Sequence, residues 1–145
     1  MASMGGCFSL GCIMGRNIRR SYRRDLLWKR VKALGEPCHI CGLPINPSIP
    51  SGHPLSFEMD ELIPVSKGGR PDVLSNVSSS HRCCNQWRSN KMMPTVNRIR
   101  AEALERYGPW RTPLEFVEKA RAAMRNAKRP APARHPDGLP TSREW

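Results

Sequence analysis

Two pairs of metal-ligand side chains, each with a two-residue gap, constrain this chain more than any other feature. Cys38 and Cys41 flank His39-Ile40, and His81 and Cys84 flank Arg82-Cys83. In a tight turn that gap lets both side chains of a pair reach one ion. Three thiolates and one imidazole form an established tetrahedral zinc set. A single Cys-x2-Cys is shared with redox motifs, so the second half-site is what points to zinc. Four protein ligands leave no open position, and such an ion holds a fold rather than performing chemistry. A set using Cys83 in place of Cys84 is the alternative, though it breaks the matching spacing. The remaining pair, Cys7 and Cys12, lies in a Gly-, Ser- and Met-rich leader and reads as incidental, the more so if Met14 is the start.

A metal staple suits the rest of the composition. Hydrophobic residues make up 39% of the 145 residues and aromatic residues 6%, beside 14 prolines and 11 glycines. A core this small gains much from a metal cross-link. The length fits one domain with tails. The first fifteen residues lack the early positive region and continuous apolar stretch of a signal peptide, and no run approaches the ~18 apolar residues of a membrane span. The expectation is a cytoplasmic protein with reduced or metal-bound cysteines and no membrane partner. Lysine and arginine number 24 against 12 acidic residues, a formal net charge of +12. That excess favours a polyanion, because each phosphate neutralised releases condensed counterions.

Periodicity and breakers divide the chain. Residues 1–17 read as a disordered leader and 18–36 as a basic helix with Leu27, Val31 and Leu34 on one face, stopped by Gly35 and Pro37. Residues 37–93 hold both half-sites. Within them, 55–65 is extended, 67–71 is a Gly-rich loop, 76–80 is irregular, and a short helix from His81 to Lys91 ends at Pro94. Residues 94–128 suggest two helices. The second opens on Thr112-Pro113-Leu114-Glu115, a capping box with proline at the first helical position. Residues 129–145 have the proline content of a disordered tail.

Between the half-sites runs Phe57-Glu58-Met59-Asp60-Glu61-Leu62-Ile63-Pro64-Val65-Ser66-Lys67-Gly68-Gly69, followed by Asn76 and then by His81-x2-Cys84-Asn85. This series resembles the HNH endonucleases of the ββα-metal (His-Me finger) type, and especially small HNH proteins of tailed bacteriophages. The match covers about residues 37–91. The family pattern is an Asp-His-Ile-x-Pro-Leu-x-x-Gly-Gly run, a central Asn, and a His or Asn after the last zinc ligand. The resemblance implies an α+β fold: a small zinc-stabilised, treble-clef-like finger with a two-stranded ribbon and a helix, flanked by basic helices. It implies that Asp60 and Asn85 bind a catalytic Mg²⁺ or Mn²⁺ and that Asn76 braces the loop between them, oxygen donors being suited to such hard ions. Lys67, Arg82, Arg88 and Lys91, with Arg70, are the expected DNA-contacting residues.

At one position the chain departs from the pattern. Glu61 stands where the family places its general-base histidine. A glutamate is the weaker base by about two pKa units, a deficit worth roughly tenfold in rate if half is expressed. Glu61 as base, or as a further metal ligand beside Asp60, both remain open, and the resemblance extends to phage members that carry an Asp-Glu pair. The implied activity is phosphodiester hydrolysis in DNA, with nicking as the default for one site, and phage relatives act beside the terminase large subunit in DNA packaging. A catalytically silent zinc-finger DNA-binding module and a terminase-associated accessory protein are the alternatives. Trp87 reads as core, His39 as a spacer in the knuckle, and His53 and His135 as loop residues.

Overall fold

Strand β1, Phe57–Glu61, pairs antiparallel with β2, Val77–His81, so that Phe57 faces His81 and Glu61 faces Val77. Side chains alternate across a strand. On one face Phe57 and Met59 join Val77 and the helix residues Leu27 and Val31 in a small apolar cluster. The other face carries Glu58 and Asp60, both turned toward the helix that follows β2. The computed structural model describes residues 22–127. Residues 1–21 and 128–145, with the expected leader, Cys7, Cys12, His135 and the proline-rich tail, lie outside the described residues.

Helix α1, Tyr22–Leu34, buries Leu27 and Val31, an i, i+4 pair that forms one stripe. Trp28 extends that contact by meeting Phe57 edge to face at 5.4 Å. Leu34, expected on the same stripe, is exposed and lies outside the cluster that Leu27 and Val31 join. Gly35, with φ 63°, supplies the left-handed residue that stops the helix.

Two expectations are corrected downstream. The segment 76–80, read as irregular, contains most of β2. Ser78, Ser79 and Ser80 have no strand-forming pattern of their own, and β1 supplies the ladder that holds them extended. Ser79 and Ser80 are buried, and the Ser80 hydroxyl donates to the Glu58 carbonyl at 3.1 Å. Pro94 does not end a helix. Helix α2 spans Arg82–Arg88 and closes at Ser89, whose φ is 52°. Pro94 then lies in the first turn of α3, Met93–Tyr107, where its missing N–H has no intrahelical partner to lose.

Helix α4, Pro113–Ala127, begins at the capping box: Thr112 Oγ1 accepts from the Glu115 N–H at 3.1 Å. Val96, Ile99 and Ala103 of α3 face Phe116, Val117, Ala120 and Ala123 of α4, and small alanines let the two helices approach closely. This helical pair packs on α2 through Trp87, which meets Phe116 edge to face at 5.2 Å. Trp110 Nε1 donates to the Cys41 carbonyl at 2.9 Å, tying the pair to the cysteine turn. The described chain is thus a small α+β fold of one two-stranded sheet and four helices. Among the described residues no helix is long and apolar enough to cross a membrane.

Candidate metal centre and the acidic face beside it

Cys38, Cys41, His81 and Cys84 converge. Their ligand atoms all lie within 4.8 Å of one another and all four residues are buried. Zinc–ligand bonds of about 2.0–2.3 Å place tetrahedral ligand atoms roughly 3.3–3.8 Å apart, so the quartet needs only a small contraction around an ion. The turn is built locally, with Gly42 N–H on the Cys38 carbonyl at 2.7 Å and Cys38 N–H on the Leu43 carbonyl at 2.9 Å. His81 ends β2 and Cys84 sits one turn into α2, so the quartet joins three elements. Cys83 Sγ stands 4.0 Å from Cys84 Sγ but is no member of the quartet.

The tautomer of His81 fits a metal ligand. Its Nε2 lies 3.1 Å from the Pro44 carbonyl, which can only accept, so Nε2 carries the hydrogen. The Nδ1 lone pair then faces the sulfurs, 3.5 Å from Cys41 Sγ. A carbonyl that fixes the second ring nitrogen is the usual outer partner of a metal-bound histidine. These four residues are positioned to bind a metal ion, and the donor set is that of a structural zinc.

Beside this cluster, the face between β1 and α2 holds the acidic residues. Along α2 the side chains of Arg82, Asn85 and Arg88 meet β1 in order. Arg82 Nη1 donates to Glu58 Oε1 at 2.9 Å, and Asn85 Nδ2 to Glu58 Oε2 at 2.8 Å. Arg88 Nη1 reaches Asp60 Oδ2 at 2.6 Å. His39 Nε2 lies 2.8 Å from the same oxygen. Its Nδ1 is buried with no hydrogen-bond partner among the described residues. Asp60 is only 4% exposed. No hydrogen bond among the described residues is found at Asp60 Oδ1 or Asn85 Oδ1.

Several expected roles change here. Arg88, placed by sequence on the DNA-facing surface, is 1% exposed. Its guanidinium also donates to the Glu61, Leu62 and Lys91 carbonyls, so all of its donor groups serve the interior. Lys91 donates to the Trp87 and Arg88 carbonyls at 2.7 and 3.2 Å, closing the end of α2, and partial burial lowers its pKa. Arg82 is partly exposed and paired with Glu58. Lys67 and Arg70 are exposed on the β1–β2 loop, Arg70 beside Asp72 at 3.4 Å. Glu61 points away from Asp60, toward α1, where Oε1 accepts from Arg24 Nη2 at 2.6 Å.

Asn76 binds the loop after β1 at three points. Its Oδ1 accepts from Ile63 N–H at 2.9 Å, and its Nδ2 donates to the Ile63 and Arg70 carbonyls at 3.1 and 3.0 Å. Gly69 is required there, since a Cβ would stand 1.7 Å from the Ile63 carbonyl oxygen. His39 and Glu58 are the residues sequence reasoning missed. Glu58 was detectable, because it shares a strand face with Asp60 two positions on. His39 had only its place between two ligands to mark it.

Arg88 and Asp60 form an ion pair with side chains 1% and 5% exposed. Removing one partner of such a pair leaves the other charge buried, typically at a cost of about 3–5 kcal/mol. Arg88→Met is therefore expected to lower unfolding free energy by that order in a urea titration. A loss below about 1 kcal/mol would mean Asp60 finds water or another donor.

In comparison with known proteins, no family model, curated protein or solved structure matches this chain.

Proposed function

We propose that this chain is a metal-dependent DNA endonuclease of the HNH type, with β1, β2 and α2 forming its ββα-metal finger. One observation carries the reading. Asp60 on β1 and Asn85 on α2 face each other's elements, and each has one terminal atom held by a neighbouring side chain while its Oδ1 is left unengaged. By donor type, two such oxygens on a hairpin and helix joined at the Cys/His quartet suit a hard divalent cation, Mg²⁺ or Mn²⁺. When bound, that cation supplies Lewis-acid stabilisation of charge on the scissile phosphate.

The chain's own residues do the rest. Asp60 and Asn85 orient, Asn76 keeps the β1–β2 loop in place, and Glu61 serves as base for the attacking water only after leaving Arg24 and turning from α1 to the Asp60 face. Glu61 ends the same strand as Asp60, and Arg24 holds its Oε1. For substrate attraction the chain has Arg23, Lys29 and Arg30 exposed on α1 and Lys67 and Arg70 exposed on the loop. These five cations suit a phosphate backbone, which they would grip without reading sequence.

A second reading, a silent DNA-binding module, has its own observation: Asp60 is buried against Arg88 and His39, as a purely structural carboxylate would be. Supercoiled plasmid separates the two. The zinc-loaded chain with Mg²⁺ or Mn²⁺ is expected to yield nicked circles, and EDTA too brief to strip the zinc should stop the reaction. DNA binding without nicking in any divalent metal favours the silent module.

A further inference from the structure

The Asn85 amide can point either way, and only one way serves a cation. We propose that Glu58 is a positioning residue that sets this choice, turning the Asn85 carbonyl oxygen toward the ion. The inference rests on the nuclease reading and adds a residue to it. Glu58 lies two positions before Asp60 on the same face of β1, and its carboxylate takes two donors. Arg82 Nη1 holds Oε1 at 2.9 Å, and an Asn85 terminal atom stands 2.8 Å from Oε2. A carboxylate paired with a guanidinium has no hydrogen to give. The atom of Asn85 against it is therefore the NH₂. Oδ1, bonded to the same carbon, points away from Glu58.

The same device fixes Asp60, whose Oδ2 takes both Arg88 and His39 and whose Oδ1 is left for a ligand. Asn85 differs in needing it more. Rotating a carboxylate by half a turn exchanges two oxygens, whereas rotating an amide exchanges an oxygen for an NH₂, which repels a cation. Glu58 thus matters because position 85 is an amide. In the Glu58→Gln variant, Arg82 competes for the new carbonyl, and the new NH₂ faces Asn85 and draws its oxygen inward.

The test is a cycle between positions 58 and 85, read as Mn²⁺ affinity without DNA. The probe is free Mn²⁺ by electron paramagnetic resonance, titrated into full-length, zinc-loaded protein. Mn²⁺ is the weakest-binding of the first-row divalent ions and leaves the thiolate-bound zinc in place. With Asn85 present, Glu58→Gln is expected to weaken Mn²⁺ binding about tenfold or more, the usual effect of removing an outer partner of a metal ligand. In the Asn85→Asp background, where both terminal atoms are oxygen and Glu58 stands against a second carboxylate, the same substitution should cause no loss of affinity. Zinc content and melting temperature, followed in all four proteins, show that each has kept its fold.

An equal loss in both backgrounds would mean that Glu58 acts by charge or as a ligand, and it overturns the positioning role. No loss in either background overturns it as well. In both cases wild-type nicking would leave the nuclease reading standing. Wild-type protein that neither binds Mn²⁺ nor nicks DNA would remove that reading and this inference together.

Discussion

Stripping zinc from this protein should abolish its cooperative unfolding rather than merely lower its melting temperature. The ligands are spread over the Cys38–Cys41 turn, the end of β2 and the start of α2, and three of them are members of the larger apolar cluster. Structural zinc contributes an apparent ~10–16 kcal/mol at neutral pH, against the ~5–15 kcal/mol that a whole domain retains. The apolar clusters of this chain cannot make up such a loss, since one of them consists of five buried residues. A thiol-blocking mercurial with a chromogenic zinc indicator should release one ion per chain, and near-ultraviolet circular dichroism should then lose its aromatic signal. Cys38→Ser should behave the same way. A metal-free chain that still melted cooperatively would show that the packing suffices and that the quartet is incidental.

The pH dependence of this effect has a definite sign. In the metal-free cluster burial pushes the His81 imidazolium down, but Cys38 and Cys41 outweigh it and carry its pKa up to about 10. Cys84 holds its proton well above the usual thiol range, as Cys38, Cys41 and Cys83 crowd it. Zinc must displace at least these two protons, so its apparent affinity should rise about a hundredfold or more per pH unit across pH 6–8. Within the folded arrangement without zinc the sign is opposite. His81 contributes stability that is full below its ordinary 6.5 and is lost as pH rises through about 10. Chelator competition at several pH values measures the first slope.

What was legible in the sequence was what lies close along the chain. The half-sites, the capping box at Thr112 and the stop at Gly35 each depend on residues a few positions apart, and the structure has all three. The irregular reading of 76–80 failed because Ser78–Ser80 become a strand only through β1, some twenty positions earlier. Arg88 looked like a surface cation for a related reason. Its spacing on α2 fits an outer face, and nothing local reveals that Asp60 and three backbone carbonyls wait on the inner one. The same holds for His39, whose partner is set by how the cysteine turn docks on β2 through the His39 N–H and the Ser79 carbonyl at 3.0 Å. The residue types of the candidate site were therefore legible, while their pairing belonged to the tertiary fold.

That pairing decides how the candidate catalytic site is best tested. Asp60→Ala would leave the Arg88 guanidinium buried and unpaired, so loss of activity would be confounded with loss of fold. Asp60→Asn avoids this. Arg88 and His39 are both donors at the Oδ2 position, so they should draw the carbonyl of the new amide toward themselves and turn its NH₂ to where Oδ1 now lies. The hydrogen bonds of the interior persist while the oxygen offered to a cation is lost. Lewis-acid stabilisation by a divalent ion is worth several kcal/mol in the transition state, and each 1.36 kcal/mol is tenfold in rate, so plasmid nicking should fall by about 10³ or more. Zinc content should stay at one per chain and DNA affinity should change little, because the exposed cations of α1 and the β1–β2 loop are untouched. Nicking at the wild-type rate would make Asp60 the structural partner of Arg88 and nothing more. A loss of nicking together with a loss of zinc would trace to the fold instead of the site.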